Sequence, residues 1–527
     1  MASALAIGID IGTTNVKACV LDTETSTVVA NASAEHPLFH PRPGWAEQDP
    51  DNYWRAVVSC IRECVDSDSS IADRIVGVAF SGLVGVTLPV DSDGRPVRRA
   101  PIWMDGRSEA QCQDIRARVG EGRINHTNGN RVAPWFIEPK ALWIKENEPG
   151  IWARIHKLLS PAGYCTLQLT GEFTMNHGDA GLCYAYDYQA GQWDIDLAEA
   201  IGVPPHLYPP IFASTEVVGK VSDRAARETG LAPGTSVVAG GTDISSAALG
   251  CGVTQAGQAY YSMGTGSNLG IMIPTPQRVE EYRILKWPHV LPGLTMFDAP
   301  MAFTGASLKW FRDMFADPEA VLAERSGQNV FDLVTMQASF VEPCSDGLLY
   351  LPYLGNSLAP RWNTKVSGTF FGVQPSTTRA HFVRAIMEGV AFDLYSNLRI
   401  AEEAGAQVDE LILNGGPTRS ALWNEITANV TNKRLVVPDI GEAAPLGDAI
   451  LAATGVGLYT SPMDPLGELV TVKEVVEPDP VVHERYSGCF AIWDELYTAL
   501  QPTMSAHSDL LRQQETYSGS TMSGAAG

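Results

Sequence analysis

Short apolar runs typical of buried strands alternate with helical patterns along most of this 527-residue chain. The alternation predicts an α/β fold, because elements that alternate in this way form a sheet covered by helices. The apolar runs occupy residues 4–10, 16–22, 74–80, 236–240, 257–262 and 409–414. With 45% hydrophobic residues, the chain can build sizeable cores, which excludes a wholly disordered protein.

The first two apolar runs are separated only by residues with turn chemistry, Gly12-Thr13-Thr14-Asn15. This spacing predicts a strand, a tight turn and a second strand, rather than a strand followed by a helix. The opening therefore disfavours a nicotinamide-dependent oxidoreductase, whose dinucleotide loop leads into a helix.

Helices and domain limits are also readable. From Thr378 to Ala404 apolar residues recur every four positions, and Gly405 supplies a C-terminal stop. A second helix is predicted over residues 420–431. We predict an N-terminal domain over 1–246, a C-terminal domain over 247–500 and a disordered tail over 501–527, where the composition becomes rich in Ser and Gly.

The charge balance limits the partners. Sixty acidic residues against 37 basic ones give a net charge of −23, which repels nucleic acid and anionic membrane surfaces. No stretch approaches the roughly 18 apolar residues of a membrane span, and the N-terminus lacks the basic region of a signal peptide. We therefore expect a cytoplasmic protein that binds neither nucleic acid nor membrane.

The nine cysteines are scattered without CxxC spacing. Their odd number and dispersion favour buried thiols in a reducing compartment over a disulfide framework or a zinc site. The ten histidines form no HExxH pattern, so metal ligation by side-chain nitrogen or sulfur is not expected.

The first turn is a candidate phosphate loop. Successive backbone N–H groups at Gly12, Thr13, Thr14 and Asn15 could converge on an anion, with Lys17 adding positive charge. Asp10, at the end of the preceding strand, could hold a hydrated Mg²⁺ through water. The alternative is an ordinary hairpin whose Thr and Asn side chains satisfy turn hydrogen bonds.

A second candidate phosphate loop is Gly264-Thr265-Gly266, which follows another apolar run. It is a near miss to the dinucleotide fingerprint, and the chain contains no GxxxxGK[ST] motif, so it is not a Walker-type NTPase. A plain loop between strands is the alternative.

Asp243 follows Gly240-Gly241-Thr242 at the end of a predicted strand, where a helix begins. It could be a general base that accepts a proton from a substrate hydroxyl. Taken alone, however, the position favours an N-cap, since aspartate is a preferred residue there.

Two further segments could bind ligands. Trp103, Asp105 and Arg107 could line a polyol pocket, or form a buried Trp beside an ion pair. Gly415-Gly416, at a strand end, would allow a flat ring such as adenine to approach the backbone, or could simply connect a strand to a helix.

The order of these motifs along the chain resembles that of the FGGY carbohydrate kinases, relatives of the heat-shock ATPases and actin. The most specific match is Gly368-Thr369-Phe370-Phe371-Gly372-Val373, then seven residues to His381-Phe382, with Ala385-Ile386-Met387-Glu388 on the same helix. This run is similar to the family's C-terminal signature, and the resemblance spans about residues 5–460.

The resemblance implies two ribonuclease-H-like domains around a central cleft, with ATP mainly on the C-terminal domain and the sugar mainly on the N-terminal one. It assigns Gly12 to Asn15 and Gly264 to Gly266 to the two phosphate loops and Asp10 to Mg²⁺. It assigns Gly305, Gly415 and Gly416 to the adenosine side. It makes Asp243 the catalytic base and Trp103 with Asp105 the substrate-side pair.

The resemblance leaves the acceptor open. Xylulokinases carry Gln-Met-His after the Ser-Gly of the strand following the first helix, whereas this chain has Leu83-Val84-Gly85 after Ser81-Gly82. We expect a xylulokinase-like enzyme, with another pentulose, a polyol of the glycerol or erythritol type, or a gluconate-type acid as alternatives. An actin-like ATPase and an inactive sugar-sensing relative are the alternatives of another class. A homodimer is one assembly that the resemblance admits.

Overall fold

The computed structural model describes residues 3–68, 70–275 and 282–523, the last twelve of these by their backbone only. The chain divides into two compact units. Unit 1 combines Met1–Ala256, Gly270–Phe297 and Pro438–Thr471, and unit 2 combines Gly257–Leu269, Asp298–Val437 and Val472–Gly527. The predicted boundary after residue 246 is thus only approximate, because two later segments return to unit 1.

The strands up to residue 256 are β1 (Leu5–Ile11), β2 (Asn15–Asp22), β3 (Thr27–Glu35), β4 (Glu47–Gln48), β5 (Ile75–Gly82), β6 (Leu88–Val90), β7 (Ala100–Pro101), β8 (Lys157–Leu159), β9 (Met175–Asn176), β10 (Tyr186–Asp187), β11 (Gln192–Trp193), β12 (Ile211–Phe212), β13 (Val217–Lys220) and β14 (Ser236–Thr242). The helices of the same region are α1 (Pro50–Asp66), α2 (Glu109–Arg118), α3 (Glu121–Asn128), α4 (Ile137–Asn147), α5 (Pro149–Trp152), α6 (Pro161–Thr170), α7 (His177–Ala180), α8 (Ile195–Ile201), α9 (Asp223–Thr229) and α10 (Asp243–Gly250).

The later strands are β15 (Gly257–Met263), β16 (Ser267–Pro274), β17 (Leu285–Pro288), β18 (Leu294–Met301), β19 (Leu349–Leu351), β20 (Thr369–Phe371), β21 (Val408–Asn414), β22 (Arg434–Asp439) and β23 (Thr471–Val476). The later helices are α11 (Thr304–Phe315), α12 (Asp317–Ser326), α13 (Val330–Ala338), α14 (Arg379–Glu403), α15 (Ala421–Thr431), α16 (Ala443–Gly455), α17 (Leu466–Leu469) and α18 (Pro480–Ser523). Short 3₁₀ helices lie at Ala72–Arg74, Pro205–Leu207, Ser345–Gly347 and Gly416–Arg419.

The main sheet of unit 1 has the strand order β13-β14-β5-β1-β2-β3. Strands β1, β2 and β3 form an antiparallel meander, and the predicted hairpin of β1 and β2 is confirmed. Strands β5 and β14 join β1 in parallel. The carboxyl ends of three neighbouring strands therefore lie at one edge, where ligands of α/β proteins commonly bind.

Helices cover both faces of this sheet, because β1 alternates large and small residues. Leu5, Ile7, Ile9 and Ile11 belong to a core that also contains residues of α1 and α6. Ala6 faces the opposite core with residues of α10 and α16. On that face α16 packs so closely on Gly8 that an added Cβ would lie 1.9 Å from the Pro445 carbonyl oxygen. The small residues thus let a helix approach the sheet backbone.

In unit 2, β15 pairs in parallel with β21, and β21 pairs in parallel with β22. The predicted strands over 257–262 and 409–414 are confirmed as β15 and β21, and the predicted helices over 378–404 and 420–431 as α14 and α15. The 25-residue helix α14 begins with a capping box formed by Thr378 and His381.

The C-terminal signature motif builds a packed aromatic cluster. The Phe370 ring stacks on Tyr350, with centroids 4.5 Å apart, and meets Phe382 edge-on at 4.8 Å. Thr369 to Phe371 form β20, which pairs with β19. The part of the sequence that most specifically marks the family therefore stabilises the fold of unit 2.

Two predictions are corrected by the structure. Cys344 and Cys489 form a disulfide, while the cysteines at 19, 60, 64, 112, 165, 183 and 251 are buried free thiols. A separation of 145 residues leaves no local signal for such a pair. In addition, α18 continues to Ser523 through most of the predicted tail, and Met504 within that stretch is buried. The tail residues 524–527 lie outside the described residues.

No helix within the described part of the chain is both long and apolar enough to cross a membrane.

We predict that Gly8→Ala lowers the free energy of unfolding by about 1–3 kcal/mol, because the new methyl group collides with the backbone of α16. The midpoint of urea unfolding measures the loss. Gly122→Ala is the control: no heavy atom lies within 4 Å of its Cβ position in α3, so stability should hold or rise. Equal midpoints for the two variants would contradict the close approach of α16.

Candidate functional site

The carboxyl edge of the unit 1 sheet brings together residues that are far apart in sequence. Asp10 on β1 pairs in register with Ser81 on β5, and Ser81 pairs with Gly241 on β14. Asp243 follows two residues later, as the first residue of α10. The parallel register thus places Asp10, Ser81 and the start of the Asp243 helix side by side.

The structure separates the two interpretations of Asp243. The N-cap of α10 is Thr242, whose side chain accepts a hydrogen bond from the Ser245 N–H. Asp243 itself is half-buried, and its carboxylate accepts a hydrogen bond from the N–H of Ile244 at 2.9 Å. The predicted capping role therefore belongs to Thr242, so capping does not account for an aspartate at position 243.

A buried hydrogen-bond chain connects Asp10 to α10. The Ser81 hydroxyl is 3.1 Å from Asp10 Oδ1 and 2.6 Å from Asp448 Oδ2. The Ser246 hydroxyl donates to Asp448 Oδ1 at 2.6 Å. Asp448 lies on α16 and is fully buried, so one carboxyl group of α16 binds serines of both β5 and α10. The chain fixes three elements of unit 1 relative to one another.

Burial governs the protonation of these carboxyl groups. Desolvation raises the pKa of Asp10 to about 6, against the opposing effects of the Ser81 hydrogen bond and the Lys17 charge. Desolvation also raises the pKa of Asp448 well above its ordinary value, although its hydrogen bonds with Ser246 and Ser81 oppose the rise. Burial therefore favours the protonated form of Asp448, whereas Asp10, with a pKa of about 6, is mostly ionised near pH 7.

The first predicted loop forms a tight hairpin turn. The Gly12 N–H donates to the Asn15 carbonyl at 2.9 Å, and Thr14 is exposed. A Cβ on Gly12 would lie 3.9 Å from Asp10 Oδ2, so the carboxylate lies beside the loop. Lys17 faces Asp10 across the β1–β2 pair, and its ammonium group forms a 2.7 Å ion pair with Glu442 at the surface.

Trp103 and Asp105, although close in sequence, differ in their exposure to solvent. Trp103 is 39% exposed, and its indole N–H lies 3.3 Å from the Thr13 hydroxyl, next to the first loop. Asp105 is buried; its carboxylate accepts hydrogen bonds from the Arg107 guanidinium and the Ala46 N–H. This placement gives no support to a direct contact of Asp105 with substrate.

In unit 2 the second predicted loop lies between β15 and β16. The Gly264 N–H donates to the Gly266 carbonyl at 2.8 Å, which closes the turn. The N–H groups of Gly305 and Ala306, at the start of α11, donate to the carbonyls of Gly264 and Thr265 at 2.9 and 3.0 Å. The loop and Gly305, which lie 40 residues apart in sequence, are therefore neighbours in unit 2.

Gly415 joins the same region of unit 2. Strands β15 and β21 are paired up to Ser262 and Asn414, so the chain continues from both strands at one edge. Gly415 has φ of 110°, and its Cβ position lies 1.9 Å from the Met263 carbonyl oxygen. Only glycine can occupy this position. In the described part of the chain, no atom outside Gly416 and its two neighbours lies within 4 Å of the Gly416 Cβ position, which leaves room for a ligand against the backbone.

The side chains near the first loop suit a metal ion that keeps most of its water ligands. Among the described residues no group of three or more His, Cys, Asp or Glu side chains could hold a metal ion. Mg²⁺ keeps most of its waters and is commonly bound through one or two carboxylates plus substrate phosphates. A single carboxylate, Asp10, beside a turn with outward-facing backbone suits that mode of binding.

The sequence analysis missed Asp448 and Ser246. Asp448 is the single charged residue of α16, a helix otherwise made of apolar, glycine and threonine residues. An ionisable residue in such a helix is itself a signal, because burying a carboxyl group requires compensating hydrogen bonds. Its partners could not be identified, since Ser81 and Ser246 lie 367 and 202 residues away.

Comparison with known proteins agrees with this geometry. The chain matches the FGGY family of carbohydrate kinases, with its N-terminal domain over residues 5–250 and its C-terminal domain over residues 259–456. A xylulose kinase of Staphylococcus epidermidis is 30% identical over 97% of this chain and 99% of its own. A gluconokinase of Bacillus subtilis is 30% identical over 86% of this chain and 87% of its own. The crystal structure of xylulose kinase from Rhodospirillum rubrum has a TM-score of 0.85 and 29% identity, covering 95% of this chain and 99% of its own.

The chain belongs to the FGGY family of carbohydrate kinases. It is a two-domain α/β phosphotransferase that acts on a hydroxyl group of a small sugar or polyol.

We predict that Asp448→Asn flattens the dependence of stability on pH. Burial favours the protonated form of Asp448 in the folded protein, whereas the unfolded chain ionises it above about pH 4, so folding takes up a proton. The raised pKa therefore makes a contribution to wild-type stability that falls as the pH rises above the unfolded-state pKa. The asparagine variant should lack this contribution. Urea unfolding at three pH values measures it, and parallel curves for the two proteins would contradict the buried neutral carboxyl group.

Proposed function

We propose that this enzyme transfers the γ-phosphoryl group of ATP to a primary hydroxyl group of a neutral ketopentose of the xylulose type. The observation that carries the proposal is the parallel-strand edge of unit 1. There Asp243, with its helix capped independently by Thr242, shares one sheet edge with Asp10 and the first loop. An exposed Trp103 beside that loop supplies an apolar surface for a sugar ring or chain.

Asp243 acts as the general base in this proposal. Its carboxylate accepts the proton of the attacking hydroxyl group while the sugar oxygen bonds to the γ-phosphorus. The bond from that phosphorus to the β–γ bridging oxygen breaks, and ADP leaves with the electron pair. Because this transition state is loose, alignment and neutralisation of charge matter more than covalent chemistry.

Backbone groups hold the nucleotide in this proposal. The first loop, Gly12 to Asn15, offers N–H groups to phosphate, as does Gly264 to Gly266 in unit 2. The adenosine side comprises Gly305, Gly415 and the open backbone at Gly416. Asp10 would hold Mg²⁺ through water, and the ion supplies neutralisation of phosphate charge when bound. The predicted contribution of Lys17 to phosphate binding would require its ammonium group to leave the ion pair with Glu442. A cytoplasmic location, where ATP is available, is part of this proposal.

The cations near the Trp103 segment favour a neutral acceptor over an aldonate. Arg107 is paired with Asp105 and Glu47. The buried Lys140 donates to the carbonyls of Gly85 and Trp135, at 2.8 and 2.7 Å. Both cations are engaged within the protein, whereas a gluconate carboxylate requires a cation or several N–H donors. A gluconate-type acid is the second candidate, because a 30% identical relative is a gluconokinase.

Asp105 supports the substrate side indirectly in this proposal. Its carboxylate joins Arg107 to the Ala46 N–H, and both groups lie in segments next to Trp103. We assign it the positioning of the Trp103 segment.

A substrate panel tests the function. ADP release should be measured with Mg²⁺-ATP and pentuloses, polyols, aldonates and hexoses. We expect the largest kcat/KM with a ketopentose. A larger value with gluconate would favour the second candidate, and no stimulation by any member would contradict the kinase assignment for this chain.

We predict that Asp243→Asn lowers sugar-stimulated kcat by about 10²–10⁴-fold, because proton transfer loses its acceptor. ADP affinity, measured by calorimetry, should stay within about twofold, since nucleotide contacts the phosphate loops. Asp223→Asn is the matched control, as Asp223 is likewise the first residue of a helix in unit 1. Near-normal turnover in Asp243→Asn would remove Asp243 from the mechanism.

A further inference from the structure

Three consecutive carbonyl groups of the first loop are held from inside the protein. The Gly12 carbonyl accepts from the imidazole Nε2 of His36 at 2.9 Å, and the Thr13 carbonyl accepts from the Gln48 amide at 2.5 Å. The Thr14 carbonyl accepts from the backbone N–H of His36 at 3.0 Å. Neither side chain was singled out by the motifs of the sequence.

The direction of a carbonyl group fixes the direction of the next N–H. In a planar trans peptide the C=O of one residue and the N–H of the following residue point in opposite directions. Holding the Gly12 and Thr13 carbonyls inward therefore turns the N–H groups of Thr13 and Thr14 outward. Two outward N–H groups in succession form the concave donor surface that binds phosphate.

Only one arrangement of hydrogens satisfies the groups behind the loop. The Gly12 carbonyl can only accept, so His36 Nε2 carries a hydrogen. Burial lowers the pKa of His36, so the ring is neutral and its Nδ1 is an acceptor. The Gln48 amide nitrogen, 3.4 Å from that Nδ1 and 2.5 Å from the Thr13 carbonyl, donates to both.

Tyr53 determines which end of the Gln48 amide faces the loop. Its hydroxyl group donates to Gln48 Oε1 at 2.6 Å. A flipped amide would direct its oxygen at the Thr13 carbonyl oxygen, which is repulsive. Gln48 and Tyr53 are completely buried, and the His36 ring meets the Tyr53 ring edge-on at 5.2 Å. Water therefore cannot replace a lost donor without repacking this core.

We infer that His36, Gln48 and Tyr53 are positioning residues that orient the backbone N–H groups of Thr13 and Thr14 toward the phosphate groups of the nucleotide. The inference rests on the proposed role of the first loop in phosphate binding. These residues touch neither nucleotide nor sugar; they act through the peptide groups between Gly12 and Thr14. Gln48 has the largest effect, because among the described residues it is the one that donates to the Thr13 carbonyl, and it also binds both His36 and Tyr53.

The test compares nucleotide and sugar constants in variants of Gln48. Gln48→Leu removes both donors at similar volume, and we expect it to raise the KM for Mg²⁺-ATP and the Kd for ADP about 10–100-fold. The sugar KM should change less than about twofold. Gln111→Leu is the matched control, since Gln111 is a buried glutamine of unit 1 that donates to Glu146 instead. It should leave both constants unchanged.

Conservative variants keep the test decisive where Gln48→Leu folds poorly. Tyr53→Phe removes the hydroxyl group that donates to Gln48 Oε1 and leaves the amide less firmly held, so it should raise the ADP Kd about 3–10-fold. Tyr164→Phe, which removes a buried hydroxyl bonded to Asp51, should not. His36→Gln keeps a donor at the position of Nε2 and should retain most ADP affinity, whereas His36→Phe should lose it.

Each result decides a different question. Wild-type turnover with unchanged ADP affinity in the folded Gln48 and Tyr53 variants would overturn the inference and leave the proposed function intact. Parallel losses in the sugar and nucleotide constants would also overturn it, because they indicate a general loss of structure. A folded wild type that binds no Mg²⁺-nucleotide would overturn both.

Discussion

The parallel register of β1, β5 and β14 is the constraint on which unit 1 depends. It places Asp10, Ser81 and Gly241 next to one another, and Asp243 follows at the start of α10. Asp448, on α16, then connects β5 and α10 by hydrogen bonds with Ser81 and Ser246. A single register shift in β5 would separate Asp10 from Ser81, because side chains alternate between the two faces of a sheet.

In the proposed function, a chain with a strongly acidic surface binds a phosphorylated ligand through local groups. At −23 the net charge opposes any anion, and Lys17 is paired with Glu442 at the surface. What remains available to phosphate is the backbone, in turns whose carbonyl groups are tied inward by His36 and Gln48. Backbone dipoles of this kind do not depend on net charge, which leaves the surface acidity to serve solubility.

The sequence predicted the helices and strands better than the contacts between segments that are distant along the chain. The β1–β2 hairpin, the strands β15 and β21 and the helices α14 and α15 follow from local periodicity and turn residues. The Cys344–Cys489 disulfide, the extension of α18 and the return of residues 438–471 to unit 1 do not. All three depend on packing between distant segments, for which a sequence carries no local signal.

The sequence by itself determined the family, through the order of its motifs and the signature at residues 368–388, and it identified Asp243 as a candidate base. The tertiary structure decided what each residue does locally. In the structure Thr242 is the N-cap of α10, and Asp105 is buried in an ion pair with Arg107. Trp103 lies beside the first loop. The physical reason for this division is that a motif consists of residues close together in sequence, so it can be recognised without the fold. Burial, hydrogen-bond partners and protonation are set by groups that folding brings from hundreds of residues away.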